Sequence, residues 1–373
     1  MAEDAHMMKE TYRFINLSGS HYEVGQKLGE RLREHKRLIP HFITGAFDAK
    51  GTAFESFKDL QDFCESYYSG FTEETAGFSD SLGVRPEQVA FYHKYLASRE
   101  RGACSQFAVL PGATEDGSVY VGRNYDMSPA QEDLCLLRTS VRGTHTHMGF
   151  SMQGLGRLDG MNTEGLVVTM TGGGAYEAPI LNRRAFMFTL AVRALLDTCS
   201  STDEATDMLC EMPVYWSTIF LIVDRSGKAA LVEGIDSKYA ARYAGEGIQE
   251  PFFFSTNHYT HPQMVSYNKY INEWLMSNSQ TRHKTLTAFF ERNAPQITKE
   301  QIFTLLKTEM PDGLCAHYYS EFFGTLWSMV FDVTRGCADV CFGPPTHNPY
   351  RHFDMRKSFH DEEYEVLLPD KKS

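Results

Sequence analysis

The 373-residue chain contains no apolar run approaching the roughly 20 residues that a membrane-spanning helix needs. Its opening stretch, Met1 to Phe14, lacks the basic segment followed by an apolar one that marks a secretory signal. The closing stretch, Leu367 to Ser373, carries no lipidation motif and no peroxisomal address. Clusters of Lys and Arg interleaved with aromatics are missing as well. The formal net charge of −12 is the opposite of what a nucleic acid attracts, so neither a nucleic-acid nor a membrane partner is expected. No Cys-x-x-Cys occurs, and no Cys/His set has zinc spacing. Cys337 and Cys341 are the only close pair among eight scattered cysteines, which excludes a metal centre of the usual kinds. Free thiols in a reducing cytoplasm are the reading of such a set, and one of them is then available as a nucleophile. Internal repeats and low-complexity segments are absent, and nothing marks a bound cofactor. The glycines at 172–174 lack the Lys and Ser/Thr of a phosphate loop, so they read as a close-approach loop.

With 42% hydrophobic and 23% charged residues the chain can bury a large core. Residues 1–103 read mostly as helix. Val24, Leu28 and Leu32 lie four apart, Phe57, Leu60, Cys64 and Tyr67 repeat a helical stripe, and Pro86 opens a third helix with Val89, Tyr92 and Leu96 on one face. At Cys104 the pattern turns to strand. Runs at 105–110 and 118–124 are separated by Pro111–Gly112 and Asp116–Gly117, the punctuation of a hairpin. Further strands are expected at 136–141, 147–153, 166–170, 217–223, 229–233, 252–255, 325–333 and 338–342. Helices are expected at 184–196, 202–212, 268–276 and 299–307. This is an α+β layered fold behind a helical leader.

The segment that carries chemistry is Arg101-Gly-Ala-Cys-Ser-Gln-Phe, followed by Gly-Arg-Asn-Tyr-Asp-Met from Gly122. A cysteine opening a strand just after Gly102 and Ala103 is placed for exposure at a sheet edge. The competing reading is a buried, inert thiol, the usual fate of a free cysteine. A hairpin brings Arg123 and Asp126 alongside Cys104. Alternation puts Asn124 and Asp126 on one face and Arg123 on the other, so a bend is needed for both charges to reach the thiol. A structural Arg123–Asp126 ion pair is the alternative.

These pieces resemble the acyl-CoA:6-aminopenicillanate acyltransferases and their choloylglycine-hydrolase-like relatives. The resemblance runs from Gly-x-x-x-Glu-x-Gly at 19–25 and Cys-Ser-x-Phe at 104–107 through Gly-Arg-Asn-Tyr-Asp at 122–126 and Gly-Met-Asn-x-x-Gly-Leu at 160–166. It continues in the Asp224–Glu233 hairpin, Thr-Asn-His at 256–258, and Thr-Leu-Trp-Ser-Met-Val-Phe-Asp at 325–332. What it implies is an N-terminal-nucleophile (Ntn) enzyme with a four-layer αββα sandwich of two antiparallel sheets. Such an enzyme cuts its own precursor before the cysteine, here freeing Cys104, and acts on a linear amide bond. By position, Asp126 matches the carboxylate that orients the new amine. Asn257 matches a side-chain donor of the oxyanion hole, and Arg123 matches the arginine beside the thiol. The cleavage point departs from the acyltransferase prototype: Ala103 stands where that enzyme has Gly.

Residues 1–103 then form a small chain and 104–373 the catalytic domain. The leader is expected to stay bound through its apolar stripes as a two-chain protomer, with self-association left open. Asn162, Tyr125 and His258 are candidate substrate-binding residues, and Met127 and Tyr176 flank the same place. For Asn162 a turn role is equally open, and for His258 and His317 a structural role is favoured. No resident cofactor is expected; acyl-CoA enters only as a possible co-substrate, the partner being a small amide or an acyl donor and amine. The alternative is a member that neither cuts itself nor catalyses, and only binds an acyl or amine metabolite.

Overall fold

The computed structural model describes residues 6–35, 39–43, 45, 47, 53–89, 102–152, 154–179, 184–185, 187–244 and 251–372. In chain order the strands are β1 (His6–Gly19), β2 (Ala103–Val109), β3 (Tyr120–Met127), β4 (Cys135–Val141), β5 (His147–Met152), β6 (Gly156–Arg157), β7 (Asp159–Asn162), β8 (Val167–Gly172), β9 (Ser217–Val223), β10 (Ala229–Ile235), β11 (Lys238–Ala244), β12 (Phe252–Ser255), β13 (His317–Tyr318), β14 (Phe323–Asp332), β15 (Cys337–Phe342), β16 (Tyr350–Asp354) and β17 (Glu362–Asp370). The helices are α1 (His21–Leu32), α2 (Ile39–Phe42), α3 (Phe57–Glu65), α4 (Phe71–Leu82), α5 (Phe188–Thr198), α6 (Thr202–Glu211), α7 (Glu273–Asn293) and α8 (Lys299–Lys307).

The strands form two sheets. A ten-stranded sheet runs β11-β10-β9-β8-β7-β5-β4-β1-β17 with β6 on β5, and a seven-stranded sheet runs β12-β2-β3-β14-β15-β16 with β13 on β14. Among the described pairs of strands only β1 with β4 is parallel. The sheets face each other. Gln106 of β2 bridges them, donating to Ile219 O of β9 at 3.0 Å and accepting from Thr169 Oγ1 of β8 at 2.7 Å. Helices α5 and α6 cover the large sheet, and α7 and α8 cover the small one. Alternation explains the layering: in β2, Phe107 and Val109 point away from the large sheet into a core with Leu286, Phe290, Ile302 and Leu306 of α7 and α8. The fold is the expected α+β sandwich of four layers.

Residues 6–19, inside the stretch that reads mostly as helix, form the strand β1, seated inside the large sheet between β17 and β4. Tyr12, Phe14, Ile15 and Leu17 are buried there. The helices of this region do follow their stripes. Ser20 and Glu23 close a capping box at the start of α1, and Val24, Leu28 and Leu32 are buried. The third expected helix appears as a single 3-10 turn at Pro86–Gln88; Tyr92 and Leu96 lie outside the described residues. The helix expected at 268–276 is a 3-10 turn at Val265–Tyr270 followed by the much longer α7.

A second tie joins the first quarter to the rest. Arg193 of α5 and Glu74 of α4 meet, both fully buried, through two 3.2 Å contacts. Arg193 also holds Asp197 at 2.8 Å, and Asp197 holds His147 at 3.0 Å.

Candidate active site

The Cys104 thiol is buried, not exposed: β3 pairs with β2 along its whole length, while the pairing of β12 with β2 ends at Gln106, two residues short of Cys104. In register Ala103 faces Asp126, Cys104 faces Tyr125, and Gln106 faces Arg123. Residues paired across an antiparallel ladder share a face. Cys104, Gln106, Tyr125 and Arg123 therefore look towards the large sheet. Ser105, Asn124 and Asp126 look towards α7 and α8, as Asn124 shows by donating to Leu306 O and Leu314 O at 3.0 and 3.1 Å.

On the inter-sheet face, Arg123 Nη2 lies 3.8 Å from Cys104 Sγ. Its Nε is anchored on Asp159 Oδ2 at 2.9 Å, an oxygen that also accepts from Trp327 Nε1 at 2.9 Å. Nη1 is buried with no hydrogen-bond partner among the described residues. Tyr125 stacks on Trp327 with ring centroids 4.1 Å apart and donates to Glu132 at 2.6 Å.

On the other face, Asp126 Oδ1 accepts from Thr325 Oγ1 at 2.7 Å, while Oδ2 is buried without a partner among the described residues. A bulge in β14 makes this possible. The register slips between Thr325 and Trp327, which would otherwise share a face. The extra residue puts Thr325 beneath Asp126 and Trp327 against Tyr125.

Asn257, in the turn after β12, reaches the backbone of Cys104. Its Oδ1 accepts the Cys104 N–H at 2.9 Å and Arg282 Nη2 at 2.7 Å, and its Nδ2 donates to Gly172 O at 2.9 Å. Two donors on one atom and a carbonyl on the other determine which way the amide points. Asn257 thus turns its carbonyl towards the Cys104 N–H. Arg282 of α7 also donates to Cys104 O, and to Ser105 Oγ at 3.1 Å.

Burial pushes the Cys104 thiol up, opposed by the Arg123 and Arg282 guanidiniums. Burial likewise raises the Asp126 carboxyl to about 6 against the pull of Arg282, Thr325 and Arg123. Burial lowers Arg282 itself, with Asp126 pulling the other way.

The other candidates separate. Asn162 is not part of this cluster: its Nδ2 donates to Leu196 O and Cys199 O at the end of α5, and its Oδ1 accepts from Glu164 N and Leu166 N. All its capacity closes a turn onto a helix end. His258 lies next to Asn257 and contacts Ser279 Oγ at 2.7 Å; burial, with His283 and Arg282 nearby, lowers it to about 4. Ser279 Oγ also accepts the Asn257 N–H at 2.7 Å, so this pair supports the turn that carries Asn257. His317 lies away from the thiol, beside Thr346 and Glu309. Sequence reasoning missed Arg282 and Ser279. Their signal was present: both stand in the buried stripe Leu275, Ser279, Arg282, Leu286, Phe290 of α7, where polar residues on an apolar face need a reason.

Two facing sheets cased in helices, with a thiol, two buried guanidiniums and a carboxamide at the start of an inner strand, define an amide hydrolase or acyltransferase of the Ntn class. The sequence profile of acyl-coenzyme A:6-aminopenicillanic acid acyl-transferase matches residues 113–347, well over half of the chain, and the chain belongs to that family. No curated protein matches it. Solved structures similar to it include a variant of conjugated bile acid hydrolase from Clostridium perfringens, at 14% identity and a TM-score of 0.48 over 72% of this chain and 99% of that one. Penicillin V acylase from Agrobacterium tumefaciens is similar at 16% identity and a TM-score of 0.46, over 68% and 87%. A Caenorhabditis elegans N-acylethanolamine-hydrolyzing acid amidase ortholog is similar at 13% and 0.43, over 62% and 93%.

Proposed function

We propose that the chain is a self-processing cysteine enzyme that cleaves its own Ala103–Cys104 bond and then acts on a linear amide through a Cys104 acyl-enzyme. The observation that carries the reading is the grip on Cys104: its N–H on Asn257, its carbonyl on Arg282 and its thiol beside Arg123. In the cleavage step the thiol sulfur attacks the Ala103 carbonyl carbon and the C–N bond breaks. The Cys104 nitrogen gains a proton, and water hydrolyses the resulting thioester to an Ala103 carboxylate.

The freed amine has an ordinary pKa of about 7.7–8.0, which neighbouring cations lower, so at neutral pH it serves as the base for the thiol. Asn257 Oδ1, already 2.9 Å from that nitrogen, holds one N–H and orients the lone pair. Arg123 stabilises the thiolate electrostatically. Asp126, one strand away in register with Ala103, is the carboxylate that steadies the new ammonium between turnovers.

Water resolves the acyl-enzyme in a hydrolase, and an amine resolves it in a transferase. Either a linear amide or a thioester such as acyl-CoA delivers the acyl group to the same sulfur. Retention of the small chain is supported by β1, held between two strands of the large sheet, and by the buried Glu74–Arg193 pair. The eight unpaired cysteines support a cytoplasmic setting. Mass spectrometry of the purified protein tests the reading. A small fragment ending at Ala103, a large one starting at Cys104, and loss of both in Cys104→Ala are expected; an intact wild-type chain whose Cys104 ignores iodoacetamide would overturn it.

A further inference from the structure

Arg123 acts on the Cys104 sulfur only while its guanidinium is aimed there. Among the described residues Nη2 lies 3.8 Å from Sγ, Nη1 has no partner, and Nε has one, Asp159 Oδ2 at 2.9 Å. The Tyr125 ring, 5.5 Å from the central carbon of the guanidinium, attracts the cation without directing any one N–H. Arg123 stands on β3 of the small sheet and Asp159 on β7 of the large one, so their contact crosses the sandwich, and both side chains are fully buried.

Asp159 is itself held from two sides. Its Oδ2 also accepts from Trp327 Nε1 at 2.9 Å, and that indole is stacked between Tyr125 and Phe150, at 4.1 Å from each. Its Oδ1 accepts the Phe150 N–H at 3.2 Å. That N–H is outside the ladder, because the β5–β7 pairing ends at Met148 and β5 next pairs with β6 from Ser151. Gly149 permits the close approach of the two strands: a methyl built there would sit 1.9 Å from Asp159 O. Three N–H donors thus converge on two oxygens. An ionised carboxylate, which only accepts, meets all three; a carboxamide must turn its own N–H onto one of them.

We infer that Asp159 is a positioning residue that aims Arg123 Nη2 at the Cys104 sulfur, its carboxylate fixed in turn by Trp327 and the Phe150 N–H. This role rests on Cys104 being the nucleophile and Arg123 the cation beside it. Burial raises the Cys104 thiol; Arg123 is the foremost charge opposing that rise, ahead of Arg282, and Asp126 adds to it. Two roles for Asp159 therefore move the thiol in opposite directions. If Asp159 is an anchor, its loss turns the guanidinium away and the thiol pKa rises. If it is only a counter-charge, its loss leaves Arg123 uncompensated and the thiol pKa falls.

The test is the pH profile of Cys104 alkylation by iodoacetamide in wild type, Arg123→Met, Asp159→Asn and Trp327→Phe. Trypsin cuts after Arg101, so the labelled peptide starts at Gly102 in an uncut chain and at Cys104 in a cut one, and each form is compared with its own kind. Asp159→Asn should raise the midpoint by about one unit, towards that of Arg123→Met, and slow alkylation at pH 7 about tenfold. Trp327→Phe keeps the ring stack and both charges but removes one donor from Oδ2. It should raise the midpoint by less, and it reads the anchor even where Asp159→Asn does not fold. A midpoint that falls in Asp159→Asn, or stays at the wild-type value in either variant, would overturn the inference. An Arg123→Met midpoint equal to wild type would remove Arg123 from the thiol's chemistry, and this role with it, while leaving Cys104 as the nucleophile. A wild-type Cys104 that ignores iodoacetamide would sink the Cys104 reading itself.

Discussion

Replacing Arg282 with Met tests the grip on Cys104 most directly. The guanidinium is fully buried and serves three acceptors: Cys104 O, Ser105 Oγ and Asn257 Oδ1. Met is close in length and apolar, so packing within the α7 stripe is largely preserved. The cost then comes from hydrogen bonds. Asn257 Oδ1 keeps the Cys104 N–H and is not orphaned, but it loses a charged donor, worth about 1.5–3 kcal/mol. Cys104 O loses its guanidinium partner, at about 1–3 kcal/mol. Ser105 Oγ can turn to another partner. Relief of the guanidinium's own desolvation, visible in its lowered pKa, offsets part of the sum. A net loss of roughly 3 kcal/mol in urea unfolding is expected. The functional loss should exceed the structural one. An Asn257 free to swing lets the nitrogen of Cys104 drift, and misplacement by an ångström can cost about 10²-fold in rate. Arg282→Lys should fall between, since one ammonium cannot reach both Cys104 O and Asn257 in the planar geometry of the guanidinium. A Met variant that unfolds within about 0.5 kcal/mol of wild type, the spread of ordinary surface changes, and still processes fully would refute the clamp.

Asp126→Asn should fold and lose activity, and it should also change the pH dependence of stability. A buried carboxyl raised to about 6 holds its proton longer folded than unfolded, so wild-type stability falls as pH rises from about 4 to about 6. The wild-type minus Asn difference in urea midpoints, measured from pH 4 to 7, should show that fall; a flat difference refutes the assignment. Arg193→Met strands the buried Glu74 and should cost about 3–5 kcal/mol, with the small chain lost on size-exclusion chromatography after cleavage. Co-elution at wild-type stability would argue against the pair as a tether.

Much of the site was readable from local pattern. Turn residues at Pro111–Gly112 and Asp116–Gly117 and the strand period placed Arg123 on one face of the hairpin and Asp126 on the other; that the thiol shares the face of Arg123 comes from the β2–β3 register. Helix α8, from Lys299 to Lys307, and strand β9, from Ser217 to Val223, lie where periodicity put them. These are properties of neighbours in sequence, set by alternation, helical spacing and turn chemistry. What the chain alone left open depends on partners far along it. β1 is a strand because β17, some 350 residues later, and β4 flank it; without them its residues show no turn to mark a hairpin. The bulge at Leu326 is visible only against β3. The direction of the Asn257 amide is decided by Arg282 and Gly172, which come from a helix and a strand of different layers. Asn162 matched a motif at the sequence level, yet the end of α5 claims all its hydrogen bonds. Cys104 was prominent in the sequence as a thiol at the turn from helix to strand. Its burial, and the grip on its nitrogen, carbonyl and sulfur, required the sheets to close, because each contact joins groups that only the packed layers bring within hydrogen-bonding range.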